Sequence, residues 1–129
     1  MPLPKLVENR GRLVASPPTE SDIDEAVHIL TMLVPLGRVV SYSAIAKVLG
    51  LHPRRVALAL SRNTKPIVVP CHRVVMKNGS LGGYTPRGTQ FKAALLKIEG
   101  VEVIRGRIPK TFFADRILEH LLGHDDSGV

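Results

Sequence analysis

Two short helical segments separated by a glycine constrain the fold more than any other feature of this sequence. The first segment covers residues 43–49 and ends at Gly50, and the second begins at Pro53, which suits the first position of a helix. This spacing predicts a helix-turn-helix with Arg54 and Arg55 in the first turn of the second helix. In a DNA-binding version of the motif, that end of the helix would enter a groove of DNA. Many helical proteins join two short helices by a glycine, so this pattern alone leaves DNA binding open.

The segment before this motif divides into an arm and a helix. Residues 1–18 contain four prolines and show no sustained period, so we expect an N-terminal arm there. From Ser21 onwards apolar residues recur at helical spacing, with Ser21 placed as the N-cap and with Pro35 and Gly37 closing the helix. The domain itself is therefore predicted to cover residues 19–129.

Two more helices are predicted in the second half of the chain. One ends at Glu99 and Gly100, and its packed face is predicted to consist of Phe91, Ala94, Leu95 and Ile98. The other runs from about Thr111 to Leu122. His120 and His124 are four residues apart in this region, but no third ligand is near them in the sequence, so we assign no metal site.

A tight turn is predicted at Asn78-Gly79, between the extended segments 73–75 and 80–81. The resulting β-hairpin would resemble the wing of a winged helix. The predicted fold class is therefore mainly α: a winged helix-turn-helix-like DNA-binding domain with a small β-hairpin.

The net charge favours a polyanionic partner. The chain has 18 Lys and Arg against 11 Asp and Glu, and its formal net charge is +7. Neutralising phosphates and releasing their counterions supplies much of the affinity of DNA-binding proteins. Because the sequence shows no leader after Met1 and no apolar run long enough for a bilayer, we expect an intracellular protein, cytoplasmic or associated with the nucleoid or nucleus, with no membrane partner.

The only cysteine, Cys71, is followed by His72 and Arg73 within an otherwise apolar run. A structural cysteine needs no polar neighbours, whereas a thiolate nucleophile needs a group that takes its proton and a charge that stabilises it. These three residues alone leave a reactive and an inert cysteine both open. Glu99 lies in the last turn of its predicted helix, where it opposes the helix dipole and would be stabilised by a partner such as a histidine.

Taken together, these motifs resemble the O6-alkylguanine-DNA alkyltransferase family over residues 37–100, half of the chain. The matching residues are 41–46 (SYSAIA), Arg54, Asn63, 70–75 (PCHRVV), 82–84 (GGY) and 96–100. The resemblance implies a DNA repair protein that removes alkyl groups from guanine O6 and keeps them permanently, one per molecule. It also implies that no cofactor is needed.

The resemblance assigns a role to each of five catalytic residues. Cys71 would be the nucleophile, His72 would relay its proton through a water, and Glu99 would orient the imidazole. Asn63 would join the turn after the second helix to the active-site segment by hydrogen bonds. Tyr42 would help to rotate the nucleotide and would donate a hydrogen bond to guanine N3.

The same resemblance implies how DNA is held. The second helix would lie in the minor groove of double-stranded DNA, and Arg54 would fill the space left by the flipped nucleotide. The DNA-binding surface is expected to consist of Ser41, Tyr42, Arg54, Arg55 and Ala57. We expect a monomer that binds duplex DNA containing O6-alkylguanine.

The base pocket is expected to include the carbonyls of Cys71 and Val74, and to be closed by Tyr84 and Thr85. Three departures from the family stand out. We expect a separate N-terminal domain to be absent or vestigial; Ala57 stands where the family often has glycine, and residues 85–89 are expected to form a longer, more charged loop than the family's. That loop puts the pocket size and the preferred alkyl group in doubt.

Two alternative functions remain open from the sequence. Short alkyltransferase-like proteins bind alkylated DNA without repairing it, although they replace the cysteine, and this chain has Cys71. A winged-helix regulator with an incidental cysteine would instead bind a specific DNA sequence through the major groove.

Overall fold

A computed structural model of the chain describes residues 5–9, 12–65, 67–82 and 88–121. Within these ranges the helices are α1 (Glu20–Met32), α2 (Tyr42–Leu49), α3 (Pro53–Ser61), α4 (Thr89–Ile98) and α5 (Asp115–Leu121). The strands are β1 (Lys5–Asn9), β2 (Arg12–Ser16), β3 (Val40–Ser41) and β4 (Val74–Val75), and short 3-10 turns cover Cys71–Arg73 and Lys110–Phe112. None of the described helices is long and apolar enough to cross a lipid bilayer.

Helices α2 and α3 form the helix-turn-helix that the sequence predicts. Gly50 ends α2 in the left-handed conformation, with φ of 68°, which glycine adopts without steric cost. Pro53 is the first residue of α3, and Nδ1 of His52 accepts a hydrogen bond of 3.1 Å from the backbone N–H of Arg54. Helix α1 packs against both helices. The mainly helical fold class is thus confirmed.

Helix α1 begins at Glu20, and its N-cap, Thr19, lies two residues before the predicted cap. The hydroxyl of Thr19 accepts a hydrogen bond from the N–H of Asp22, and the carboxylate of Asp22 accepts one from the N–H of Thr19. This reciprocal capping box satisfies two backbone donors at once. Ser21 lies inside the first turn, so its assignment as N-cap was wrong.

The packed face predicted for α4 was also wrong. Lys92 and Leu96 are the fully buried residues of this helix, whereas Ile98 is 82% exposed and Ala94 is exposed. Hydrophobic periodicity treats a lysine as a surface residue. Here the Nζ of Lys92 donates a hydrogen bond of 2.6 Å to the carbonyl of Val74, which allows the lysine to face the interior.

The hairpin expected around Asn78-Gly79 has a turn but no ladder. The N–H of Met76 bonds the carbonyl of Ser80 across the turn, at 2.9 Å. However, β4 pairs with β3 in parallel, Val40 opposite Val74 and Ser41 opposite Val75. These residues are buried, as parallel strands usually are.

The predicted N-terminal arm contains a two-stranded antiparallel sheet, in which β1 pairs with β2 from Lys5 opposite Ser16 to Asn9 opposite Arg12. At the other end of the domain, α5 starts later than predicted. Phe113 forms a parallel bridge to Val39, and this extended pairing delays the helix to Asp115. Leu122 and His124 lie outside the described residues.

Two hydrophobic clusters hold the described fold together. The larger joins α1, α2 and α3 with α5, and the smaller joins α4 to the segment after it and to Val39 and Val75. The turn at Cys71–Arg73 contacts both α1 and α4. Cys71 itself packs against the larger cluster, so the turn is held between that cluster and α4.

Ile67 has an unfavourable backbone conformation that can be relieved by substitution. Its φ is 77°, in the left-handed region, where a β-branched side chain is strained. Its side chain is 60% exposed, so little burial is lost on removing it. We expect Ile67→Gly to raise the free energy of unfolding by about 1 kcal/mol.

The measurement is urea unfolding, and Val68→Gly is the matched control. Val68 is also β-branched and is 64% exposed, but it is not among the described residues with positive φ. Glycine there should lower stability by roughly 0.5–1 kcal/mol. Equal changes at both positions would contradict the assignment of strain to Ile67.

Candidate active site

The cysteine segment is tied to the helix-turn-helix through Asn63. This residue follows α3, and its Nδ2 donates a hydrogen bond of 3.0 Å to the carbonyl of Val69. Its Oδ1 accepts a hydrogen bond of 2.9 Å from the N–H of Lys65. A third bond, 2.7 Å from the N–H of Cys71 to the carbonyl of Val69, precedes the 3-10 turn, whose first bond runs from the N–H of Arg73 to the carbonyl of Pro70 at 2.9 Å. Cys71 is half-buried and has a free thiol.

His72 and Glu99 are in direct contact, although they are far apart in sequence. The Nε2 of His72 lies 2.8 Å from Oε2 of Glu99, and both side chains are nearly buried. Glu99 is the C-cap of α4, where a carboxylate opposes the helix dipole. Arg73 also bonds this carboxylate, with its Nε at 2.9 Å from Oε1 and its Nη2 at 2.9 Å from Oε2.

These contacts determine the protonation of the pair. Burial alone would raise the pKa of Glu99, but hydrogen bonds from Arg73 and His72 outweigh it and hold this pKa below its usual value. Burial lowers the pKa of His72, and the hydrogen bond and charge of Glu99 do not fully offset that effect. Near neutral pH the pair is therefore a carboxylate and a neutral imidazole. Because the carboxylate accepts, we assign the proton to Nε2, which leaves Nδ1 able to act as a base.

Lys92 is a site residue that the sequence analysis missed. It is 1% exposed, and its Nζ lies 5.7 Å from the centroid of the Tyr42 ring. Burial lowers the pKa of Lys92 to about 8, and a negative charge on Cys71 opposes this effect. The ammonium is thus within electrostatic reach of the cysteine. The sequence contained one signal for its burial: Lys92 is four residues before Leu96 and therefore lies on the same face of the helix.

Tyr42, the first residue of α2, lies within the same group of side chains. Burial, with a smaller effect of the charge on Cys71, raises the pKa of Tyr42 to about 12. The phenol therefore keeps its proton and is able to donate a hydrogen bond. Gly82 packs against it: a Cβ at Gly82 would lie 3.2 Å from Cε2 and 3.3 Å from the hydroxyl of Tyr42.

A pocket of about 340 Å³ opens beside Tyr42. It is lined by Tyr42 and Ser43 of α2, by Pro53, Arg54 and Ala57 of α3, and by residues 76–78. The structure thus brings together three of the predicted DNA-contacting residues, Tyr42, Arg54 and Ala57. Cys71 is not among the lining residues.

Ser41 does not face this pocket. It is fully buried, its Oγ donates a hydrogen bond of 2.7 Å to Asp115, and its N–H donates another of 2.8 Å to the same carboxylate. Its Oγ also accepts from the N–H of Ala44 as the N-cap of α2. Ser41 therefore caps α2 and joins it to Asp115, and we do not propose it as a DNA contact.

Arg55 also differs from its expected position. Its Nη1 lies 2.8 Å from the carboxylate of Asp24 in α1, and its Nη2 donates to the carbonyl of Glu20 at 3.1 Å. Arg62 bonds the other oxygen of Asp24 at 3.0 Å. Burial would raise the pKa of Asp24, but these arginines outweigh it and lower the pKa. Arg55 joins α3 to α1, and Arg54 is the arginine at the pocket.

The remaining predicted pocket residues are only partly described. The carbonyl of Val74 already accepts the hydrogen bond from Lys92. A carbonyl oxygen has two lone pairs, so a second donor is compatible with this contact. Tyr84 and Thr85 lie outside the described residues.

Comparison with known proteins identifies the family of this fold and site. The family model described as "6-O-methylguanine DNA methyltransferase, DNA binding domain" matches residues 22–101, more than half of the chain. The chain belongs to the 6-O-methylguanine DNA methyltransferase family. The matched segment contains Cys71, His72 and Glu99, together with the helix-turn-helix.

Known members of the methyltransferase family are similar over this segment. A methylated-DNA–protein-cysteine methyltransferase of Thermococcus barophilus is 51% identical over 74 residues, which cover 57% of this chain and 41% of the relative. A Mycobacterium tuberculosis relative, OGT, solved in complex with DNA, has a TM-score of 0.58 at 38% identity, covering 61% of this chain and 49% of that one. The chain spans less than half the length of the curated relatives that it matches.

A second similar structure is Atl1 of S. pombe, solved in complex with damaged DNA containing O6-carboxymethylguanine. Its TM-score is 0.64 at 24% identity, and the match covers 72% of this chain and 94% of Atl1. At this identity the likeness shows the fold alone.

The buried Lys92 generates a prediction about stability and pH. Its pKa of about 8 in the folded protein lies below the ordinary value of 10.5. Between these two values the unfolded chain binds more protons than the folded protein, so the Lys92 contribution makes the free energy of unfolding rise with pH. We expect Lys92→Met to remove most of this rise between pH 8 and pH 10.

Urea unfolding at a series of pH values measures this effect. The control is Lys97→Met, which removes an exposed lysine from the same helix. It should leave the pH dependence as it is in the parent protein. The same flattening in both variants would refute the burial of the Lys92 charge as its cause.

Proposed function

We propose that this domain repairs DNA by transferring an alkyl group from O6 of guanine to Cys71. The observation that carries the proposal is the His72–Glu99 contact directly beside the only cysteine of the chain. A neutral imidazole with a free Nδ1 and a fixed partner on Nε2 is the arrangement that activates a thiol nucleophile.

The transfer is a direct displacement. His72 takes the thiol proton through a water, and the Cys71 thiolate attacks the alkyl carbon. A bond forms between sulfur and carbon, the bond between carbon and O6 breaks, and the electron pair passes to the guanine. Tyr42 donates a hydrogen bond to guanine N3 and keeps its own proton, while the displaced guanine takes up a proton from solvent and His72 releases one to it. The thioether is stable, so each molecule acts once.

Lys92 is a buried cation that would stabilise a thiolate at Cys71. Lys92 lies within electrostatic reach of Cys71, and little water surrounds it because it is 1% exposed. A positive charge in such an environment stabilises a thiolate more than it would in water. Tyr42 keeps its proton because its pKa is about 12, as a hydrogen-bond donor to the base requires.

The DNA surface is basic because carboxylates are confined to other parts of the chain. No Asp or Glu occurs from Ala26 to Ile98, a segment with eleven Lys and Arg. Arg54 lies at the first turn of α3 and Lys77 on the facing turn, both lining the pocket. We propose that duplex DNA lies across this pocket through its minor groove. Arg54 would then hold the place of the flipped guanine.

Mass spectrometry of the protein mixed with a duplex carrying one O6-methylguanine tests the transfer. We expect one added methyl group on the peptide that contains Cys71. An undamaged duplex and a Cys71→Ala variant serve as controls and should show no addition. Preferential binding of the damaged duplex without modification would instead identify a lesion-binding protein. Equal binding to both duplexes without modification would favour a regulator.

Arg54→Ala tests extrusion of the base. Unstacking a base costs a few kcal/mol, so losing the residue that fills the gap should slow transfer from a duplex at least about tenfold. Transfer from a short single strand should change much less, because no base pair has to be opened. Single-turnover rates on both substrates provide the measurement.

The control for net charge is Lys97→Ala, which removes an exposed cation that does not line the pocket. It should affect both substrates little. Equal loss on duplex and single strand in Arg54→Ala would rule out a role in base extrusion.

A further inference from the structure

We propose that Arg73 is a positioning residue that holds the Glu99 carboxylate in place, offsets its charge and so keeps His72 neutral. The proposal deepens the function above, since it rests on His72 as the base that takes the proton of Cys71. Arg73 directly follows His72 in the sequence, and the hydrogen bonds of its guanidinium support this role.

The guanidinium of Arg73 is fixed by three hydrogen bonds. Its Nε and Nη2 each donate to a different oxygen of Glu99, both at 2.9 Å, in the parallel geometry that arginine forms with carboxylates. Its Nη1 donates to the carbonyl of Val34, after the end of α1, at 3.0 Å. The side chains of Arg73 and Glu99 are 15% and 11% exposed. The carboxylate plane is therefore set by the arginine.

One oxygen of Glu99 serves both neighbours. Oε2 accepts from Nη2 of Arg73 and, at 2.8 Å, from Nε2 of His72. Arg73 and Glu99 together have no net charge, so the imidazole faces a neutral pair rather than a bare carboxylate. A lone carboxylate at this distance would favour the imidazolium, which has no free lone pair to accept a proton from Cys71.

Burial and three charged groups shift the pKa of His72. Burial lowers its pKa, Glu99 raises it, and Arg73 and Lys92 lower it. Cys71 adjoins His72 in the same turn, and α1 contributes the uncharged carbonyl of Val34 next to Arg73. Removing Arg73 leaves Glu99 opposed by burial and by Lys92 alone, so the imidazole should bind its second proton at a higher pH.

The experiment is an NMR titration of the His72 imidazole in the DNA-free protein. His72→Gln identifies its resonance. In Arg73→Met we expect the midpoint of this titration to rise by about one pH unit. Arg73→Lys keeps the positive charge but not the paired hydrogen bonds, and should shift the midpoint much less. Glu99→Gln, which keeps the shape of the side chain, should lower it.

The control is Arg55→Met. Arg55 is 18% exposed, similar to Arg73, but its ion pair with Asp24 joins α3 to α1, and it is not among the charges that act on the pKa of His72. This variant should lose stability without moving the His72 titration. If Arg73 only links α1 to α4, Arg73→Met will lower stability in the same way and leave the His72 midpoint unchanged. That result overturns the proposal.

A second readout separates this proposal from the function on which it rests. In Arg73→Met, the acid limb of the pH profile of alkyl transfer should move to higher pH by the same amount as the His72 midpoint. A shift by NMR without transfer in any variant would keep the role of Arg73 and reject the proposed function. If Arg73→Met does not fold, Arg73→Gln, which also removes the charge, takes its place, and an unchanged His72 midpoint in that variant overturns the proposal.

Discussion

The carboxylate of Glu99 is the point on which the site depends. It ends α4, accepts two hydrogen bonds from Arg73 and one from His72, and through Arg73 is joined to the carbonyl of Val34 after α1. A carboxylate at the C-terminus of a helix is unfavourable by itself. Here the hydrogen bonds from Arg73 and His72 outweigh the unfavourable interaction with the helix dipole. The carboxylate can therefore stay at the helix end and hold the residues next to the cysteine.

Charge is segregated along the chain in a way that suits this arrangement. Four carboxylates occur in α1: Asp24 pairs with Arg55 and Arg62, Glu20 lies 4.0 Å from Arg62, Asp22 caps the helix and Glu25 is exposed. None occurs from residue 26 to residue 98. The arginines that contact α1 are neutralised, whereas Arg54, the arginine at the pocket, is not paired with any acidic side chain among the described residues. The surface that we assign to DNA is thus basic because acidic residues are absent from this segment as well as because basic residues are present.

Local signals in the sequence were sufficient for the helix-turn-helix, since Gly50 and Pro53 act on the backbone within a few residues of themselves. They were not sufficient where a residue distant in the sequence determines the position of a side chain. Lys92 is inside because the carbonyl of Val74 accepts from it, and Arg55 turns away from the pocket because Asp24 binds it. The same holds for the parallel pairing of β3 with β4. Pattern and propensity contain no information about which chain segments meet, so these contacts needed the folded structure.

The contact between Ser41 and Asp115 has a consequence for modularity. The cap that starts α2, and with it the placement of Tyr42, is held by a carboxylate from the far end of the domain. The two helices at the pocket are therefore not a cassette that can be grafted onto another scaffold. Transplanting residues 42–61 alone would carry the sequence that faces the groove but leave behind the group that anchors its first turn.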